Sequence, residues 1–140
     1  MTLSKQLRIF LLYARIDQEA VRRLYRRIVQ DGASAWFDQE KLLPGQDWEY
    51  EIRKAILSSD IVLVCLSKQF NKHGGYRHKE LRIALKKANA LPNSQIFIVP
   101  ARLENCDMPE PLGRWQRVDL FEAGGYKKLM SALQEYITSP

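Results

Sequence analysis

The sequence predicts an α/β fold: a five-stranded parallel sheet in strand order 2-1-3-4-5, with helices on both faces. Two observations predict it. Strand-like and helix-like segments alternate along the whole chain, and parallel strands joined by crossover helices satisfy such alternation. The segment Ile61–Leu66, Ile-Val-Leu-Val-Cys-Leu, is apolar at every position, as a central strand covered on both sides must be.

The elements follow in order. Residues 7–13, Leu-Arg-Ile-Phe-Leu-Leu-Tyr, read as a buried first strand. Asp17 is placed to cap the next helix, in which Val21, Leu24 and Ile28 recur on one face and Asp31-Gly32 ends the run. Arg22, Arg23, Arg26 and Arg27 lie on the other side of that helix, a solvated basic face. Residues 34–37 form a short second strand. A loop over residues 38–46 leads to Asp47, a second N-cap, and to a helix with Trp48, Ile52, Ala55 and Ile56 inward. After the central strand, Asn71 to Gly75 is turn chemistry, and residues 76–90 are helical through Leu81, Ala84, Leu85 and Ala88. Residues 95–101 form a fourth strand, and residues 116–120 a weaker edge strand. A closing helix spans residues 127–137, with Leu129, Met130, Leu133 and Ile137 inward.

The bulk numbers fit one ordinary domain over residues 1–140, or a fragment of a longer protein. The chain has 46% apolar and 27% charged residues, a globular balance. Its apolar runs are far shorter than a bilayer span, and its N-terminus has no apolar stretch typical of a signal peptide. Cys65 and Cys106 have no metal-type spacing, which suits a reducing compartment. A cytoplasmic protein without membrane contact is expected. The net charge of +6 comes without an aromatic-interleaved basic sheet or nucleic-acid motif, so no direct nucleic-acid partner is expected.

In such folds ligands bind at the carboxyl ends of the strands, near the switch in strand order. That directs attention to Tyr13 through Asp17, Asp38 through Gly45, and Ser67 through Glu80. Several chemistries fail there. No Gly-x-Gly-x-x-Gly and no Walker lysine loop follows a strand. The acidic pair and aspartate of a phosphoacceptor are replaced by Ala14-Arg15 and Ser67-Lys68. The first loop lacks the hydroxyls of a flavin phosphate site. His73 and His78 have no ligand-like companions, and no metal site is expected.

The remaining segments resemble the TIR (Toll/interleukin-1 receptor-like) family. Phe10-Leu11-Leu12-Tyr13-Ala14 resembles its first motif, with Leu12 where a serine is usual. Residues 37–45, Phe-Asp-Gln-Glu-Lys-Leu-Leu-Pro-Gly, resemble the loop after its second strand, in a form closer to prokaryotic than to animal receptor TIR domains. Ile61 through Ser67 resemble its central strand and terminal serine. Residues 76–85, Tyr-Arg-His-Lys-Glu-Leu-Arg-Ile-Ala-Leu, resemble the helix that carries the glutamate of NAD-cleaving members. The match covers nearly the whole chain in order.

The resemblance implies a flavodoxin-like three-layer fold and a NAD+ nucleohydrolase that cuts the nicotinamide–ribose bond, with NAD+ as substrate and no cofactor. Glu80 is then the catalytic residue. Tyr13, Ala14, Arg15, Asp38, Lys41, Leu42, Gly45, Ser67 and Tyr76 are then substrate-binding. Tyr13 and Arg15 resemble positions near the nicotinamide-side ribose and phosphate. One carboxylate suffices in principle, because nicotinamide in NAD+ is already cationic and departs without protonation, unlike a sugar-linked oxygen. The resemblance also implies self-association through residues 38–46, with other TIR domains or a fused sensor domain as partners, in an immune, antiphage or cell-death response. The other reading is a TIR scaffold without turnover. Residue by residue, Glu80 can instead be a solvated helix glutamate paired with Arg77 or Lys87, and Tyr76 can simply pack on Leu66 or Phe70.

Overall fold

A computed structural model describes residues 7–72 and 75–138, and of residues 75–77 the backbone alone. Five strands form one parallel sheet: β1 (Arg8–Tyr13), β2 (Ser34–Trp36), β3 (Ile61–Leu66), β4 (Ile98–Arg102) and β5 (Val118–Asp119), in the order β2-β1-β3-β4-β5. That is the expected order. β3 is buried at all six positions between β1 and β4, with Leu12 facing Val64 and Leu63 facing Val99 in register. Strand bounds differ from expectation, most at the starts of β4 and β5, while β4 runs one residue further, to Arg102. Gln95 is held in a turn, its N–H on the Pro92 carbonyl at 3.0 Å, so β4 starts at Ile98. β5 keeps only the two residues that reach Ala101 and Arg102.

The helices are α1 (Gln18–Gln30), α2 (Asp38–Lys41), α3 (Trp48–Ser58), α4 (Lys68–Asn71), α5 (Gly75–Asn89) and α6 (Gly125–Thr138). Alternation along β1 divides the core in two. Ile9, Leu11 and Tyr13 join α1 and α6 residues such as Val21, Ile28 and Leu133 on one face. Phe10, Leu12 and Ala14 join Ile52, Ile56, Leu81 and Ala84 of α3 and α5 on the other. Burying these two apolar faces is the main drive for folding, at about 25 cal/mol per Å² of apolar area removed from water.

Three expectations at the helices need correction. Asp17 stands at the N-cap position of α1 but its side chain makes no capping hydrogen bond: it ends a 3-10 turn over Arg15–Asp17 with a φ of −90° and a ψ of 11°, and its carboxylate accepts from the Ser67 hydroxyl instead. Trp48 does not face inward. As the first residue of α3, directly after the cap, it is 50% exposed, and burial begins one turn later at Ile52. Arg22 is not solvated: its guanidinium lies 5.2 Å from the Phe37 ring centre and pairs with Glu40 at 2.8 Å and Glu19 at 3.3 Å. Arg23, Arg26 and Arg27 are exposed as expected. Asp47 does cap α3, accepting the Tyr50 N–H at 3.1 Å. The short helix α4 was not expected and takes in Asn71, the first residue of the predicted turn, of which His73 and Gly74 lie outside the described residues.

Candidate functional site

The carboxyl edge of the sheet gathers the segments singled out in the sequence, but it sorts them onto two sides. Tyr13, at the end of β1, is 1% exposed and belongs to the α1 side of the core. Its ring packs 5.5 Å from that of Phe37, and its hydroxyl donates to the Asp38 carboxylate. Asp38 opens α2 and also accepts the Gln39 N–H at 2.9 Å. These contacts tie the ends of β1 and β2 together.

Ser67 ties β1 to β3. It is 2% exposed, its hydroxyl donates to the Asp17 carboxylate, and its oxygen accepts the Phe70 N–H at 3.1 Å as the cap of α4. Desolvation raises the Asp17 carboxyl above its ordinary range, and the Ser67 hydrogen bond pulls partly the other way. Both groups are spoken for by this junction. Arg15 is exposed just ahead of it. Cys65 is fully enclosed in β3, and burial pushes its thiol upward, away from thiolate chemistry.

Glu80 stands on the other face. It lies in the second turn of α5 and is 4% exposed, on the floor of a cleft rather than at its rim. The cleft has a volume of about 340 Å³. Its walls come from the first turns of α3, with Trp48, Glu49, Tyr50 and Arg53, and from α5, with Lys79 and Ile83. Trp48 and Tyr50 present aromatic surface, 50% and 60% exposed. Lys79 Nζ bridges the two helices to Glu49 Oε1 at 3.2 Å. Ala14 and Leu42 belong to the core layer beneath this side, as does Leu12 at the position of the usual serine. Lys87, one of the partners offered for Glu80, donates from Nζ to the Leu57 carbonyl at 2.7 Å and the Ser59 carbonyl at 2.9 Å. The side chains of Tyr76 and Arg77 lie outside the described residues.

The structure thus brings Glu80, Ala14 and Leu42 to one side and Tyr13 and Asp38 to the other. Lys41 and Gly45 are exposed in the connection between β2 and α3. That connection is shorter as a loop than expected, since its first four residues form α2. Leu42 is half-buried against the core, which leaves Leu43, 62% exposed, as the protruding apolar side chain. Gly45 has a φ of +89°, a turn that other residues resist. The wall residues Trp48, Glu49, Tyr50, Arg53 and Lys79 were missed by sequence reasoning. A signal existed: a helix capped just after the second strand's loop puts its first turns at the carboxyl edge. A larger cavity of about 510 Å³ lies on the other flank of α5, between Phe70, Leu81, Leu85, Met108 and Pro109, and holds none of the expected site residues. Among the described residues no helix is long and apolar enough to cross a membrane, and no cluster of His, Cys, Asp and Glu is arranged to hold a metal.

Solved structures share this architecture. The TIR domain of the Toll-related receptor TRR-2 from Hydra magnipapillata superposes with a TM-score of 0.73 at 21% identity, covering 90% of this chain and 97% of that one. A prokaryotic SEFIR domain gives 0.69 at 15% identity, covering 96% and 95%. The TIR domains of the activated Roq1 resistosome, which directly recognises the pathogen effector XopQ, give 0.61 at 20% identity, covering 96% and 74%. In sequence, the chain is 28% identical over 129 residues to the uncharacterized protein y4cD of Sinorhizobium fredii (strain NBRC 101917 / NGR234). The match takes in 90% of the chain but spans only a fifth of that relative's length. A family model described as TIR domain matches residues 9–133, and the chain belongs to the TIR domain family.

Proposed function

We propose that this TIR domain is a NAD+ nucleohydrolase with Glu80 as its catalytic carboxylate, and that it becomes competent on self-association. The observation that carries the reading is the burial of Glu80 on the floor of a cleft with two aromatic side chains at its mouth. A carboxylate there is poorly screened and acts strongly on a nearby positive charge. The reaction needs little else. The bond from ribose C1′ to the pyridinium nitrogen breaks, its electron pair stays on nitrogen, and nicotinamide leaves neutral. Positive charge moves onto C1′ and the ring oxygen, where Glu80 stabilises it. Water adds to C1′ and loses a proton, giving ADP-ribose; capture by a nucleophile of the same substrate gives a cyclised product instead.

Trp48 and Tyr50 supply flat apolar surface against which a ring system can pack. Leu43, exposed at the tip of the connection before α3, supplies an apolar contact for a second copy. Such a contact would cover the cleft mouth and lower its effective dielectric, so the competent fraction follows the associated fraction. The test is nicotinamide release from NAD+ by concentrated protein, free and fused to an oligomeriser. Turnover that climbs with concentration, and falls together with association in Leu43→Asp, is the expected result. Association without nicotinamide release in either form would leave a TIR scaffold in place of the enzyme. Specific activity constant over a hundredfold concentration range, in a strictly monomeric species, would remove self-association from the reading.

A further inference from the structure

The cleft is charged in a pattern that Glu80 alone does not explain. Its floor holds the Glu80 carboxyl group, and its walls carry one cationic side chain each: Arg53 from α3 and Lys79 from α5. Lys79 directly precedes Glu80, and successive helix residues point about 100° apart, so one reaches the mouth while its neighbour reaches the floor. Lys79 is held by Glu49 in an exposed pair, with side-chain exposures of 61% and 56%. Pairs as wet as this add little to stability and are easily exchanged. Glu51, the other carboxylate of the first turns of α3, is taken by Lys54 at 3.2 Å, not by Arg53.

Size decides what the mouth must meet. A volume of about 340 Å³ is at the small end for ligand pockets, room for one nucleoside half of a dinucleotide. With the cationic nicotinamide riboside end on the Glu80 floor, the linking diphosphate emerges between Arg53 and Lys79. We propose that Lys79 and Arg53 form the diphosphate-binding pair of this cleft, and that Glu49 occupies Lys79 until a diphosphate displaces it. This rests on the dinucleotide reading of the site. It adds the residues that select a phosphorylated ligand over a bare nucleoside, and it makes Glu49 a built-in competitor.

The test is calorimetric titration of the full chain with ADP-ribose, which carries the diphosphate and requires no turnover, and with nicotinamide riboside, which has no phosphate. Lys79→Ala and Arg53→Ala should each weaken ADP-ribose binding by about tenfold, as loss of a charge-assisted contact does. Glu49→Gln should tighten it by about threefold, and all three variants should leave nicotinamide riboside binding unchanged. In turnover the effect should fall on KM for NAD+ rather than on kcat. Unchanged ADP-ribose affinity in Lys79→Ala, equal weakening of both ligands, or no binding of ADP-ribose to the unaltered chain would overturn the proposal. The outcomes separate from those of the enzyme reading. ADP-ribose binding that depends on Lys79 without any nicotinamide release keeps the anion site and removes the enzyme. Release that is indifferent to Lys79 and Arg53 does the reverse.

Discussion

Replacing Glu80 by Gln keeps the shape of the side chain and removes its charge, so it isolates the electrostatic part of the proposed chemistry. Net charge does not change as the glycosidic bond breaks: it moves from the nicotinamide ring to the ribose. Only the difference in distance to the carboxylate counts. Taking roughly 4 Å to the ribose centre and roughly 7 Å to the pyridinium, an effective dielectric of about 20 gives about 2 kcal/mol of differential stabilisation. That dielectric is chosen because Glu80 is 4% exposed; at the bulk-water value near 80 the same geometry yields only about 0.4 kcal/mol. Weakening a charge-assisted hydrogen bond to a ribose hydroxyl adds about 1 kcal/mol. The sum, about 3 kcal/mol, corresponds to a fall in kcat of roughly a hundredfold. The assay is nicotinamide release at saturating NAD+, with a thermal melt to show that the variant folds. A drop of less than about fivefold in a well-folded variant would mean that the carboxylate acts through water or not at all.

Three further outcomes are expected. Tyr13→Phe removes the hydroxyl that donates to Asp38 on the α1 side of the sheet; it should cost about 1 to 2 kcal/mol in urea unfolding, while kcat for NAD+ changes less than threefold, and a hundredfold loss would place Tyr13 in the chemistry after all. Gly125→Ala sets a Cβ 2.0 Å from the Asp119 carbonyl oxygen, a backbone atom that cannot swing aside; a loss of about 3 kcal/mol is expected by denaturant titration, against about 1 kcal/mol for Gly124→Ala, which meets only the strain of a φ of +81°. Asp119, hydrogen-bonded first by Arg102 and then by Arg117, is lowered from 3.8 to about 2. A lowered carboxyl stabilises the fold above its unfolded pKa and loses that contribution as pH falls through its folded one, so stability should decline between pH 4 and pH 2; Asp119→Asn should flatten that limb in pH-dependent melts, and an unchanged limb would assign it to other carboxylates.

The strand order and the central position of Ile61–Leu66 were legible because period and hydrophobicity agree there, and a strand apolar at every position has few other places to go. The strand ends were less legible, since apolar residues continue into turns: the Phe97 carbonyl accepts the Val62 N–H at 2.7 Å, yet the regular ladder starts only at Ile98. Asp17 has the right residue type for a cap, but its carboxylate takes the Ser67 hydroxyl fifty residues away, a contact that local pattern cannot show. The split of the expected site across two sheet faces has the same origin. Tyr13 and Ala14 are neighbours in sequence, and the period of two along a strand sends them to opposite cores.

Glu80 is the instructive case, because its burial was written in the sequence. At intervals of four it heads the series Glu80, Ala84, Ala88, and both alanines are buried against the sheet. A solvated glutamate would sit opposite that stripe, not on it. The small alanines let α5 lie close to the sheet, and the stripe carries the carboxylate inward at the end of α5 nearest the carboxyl edge. Burying a carboxylate costs several kcal/mol unless partners or a bound cation compensate. In the proposed chemistry that buried carboxylate would act on the positive charge that develops on the ribosyl centre as the pyridinium leaves.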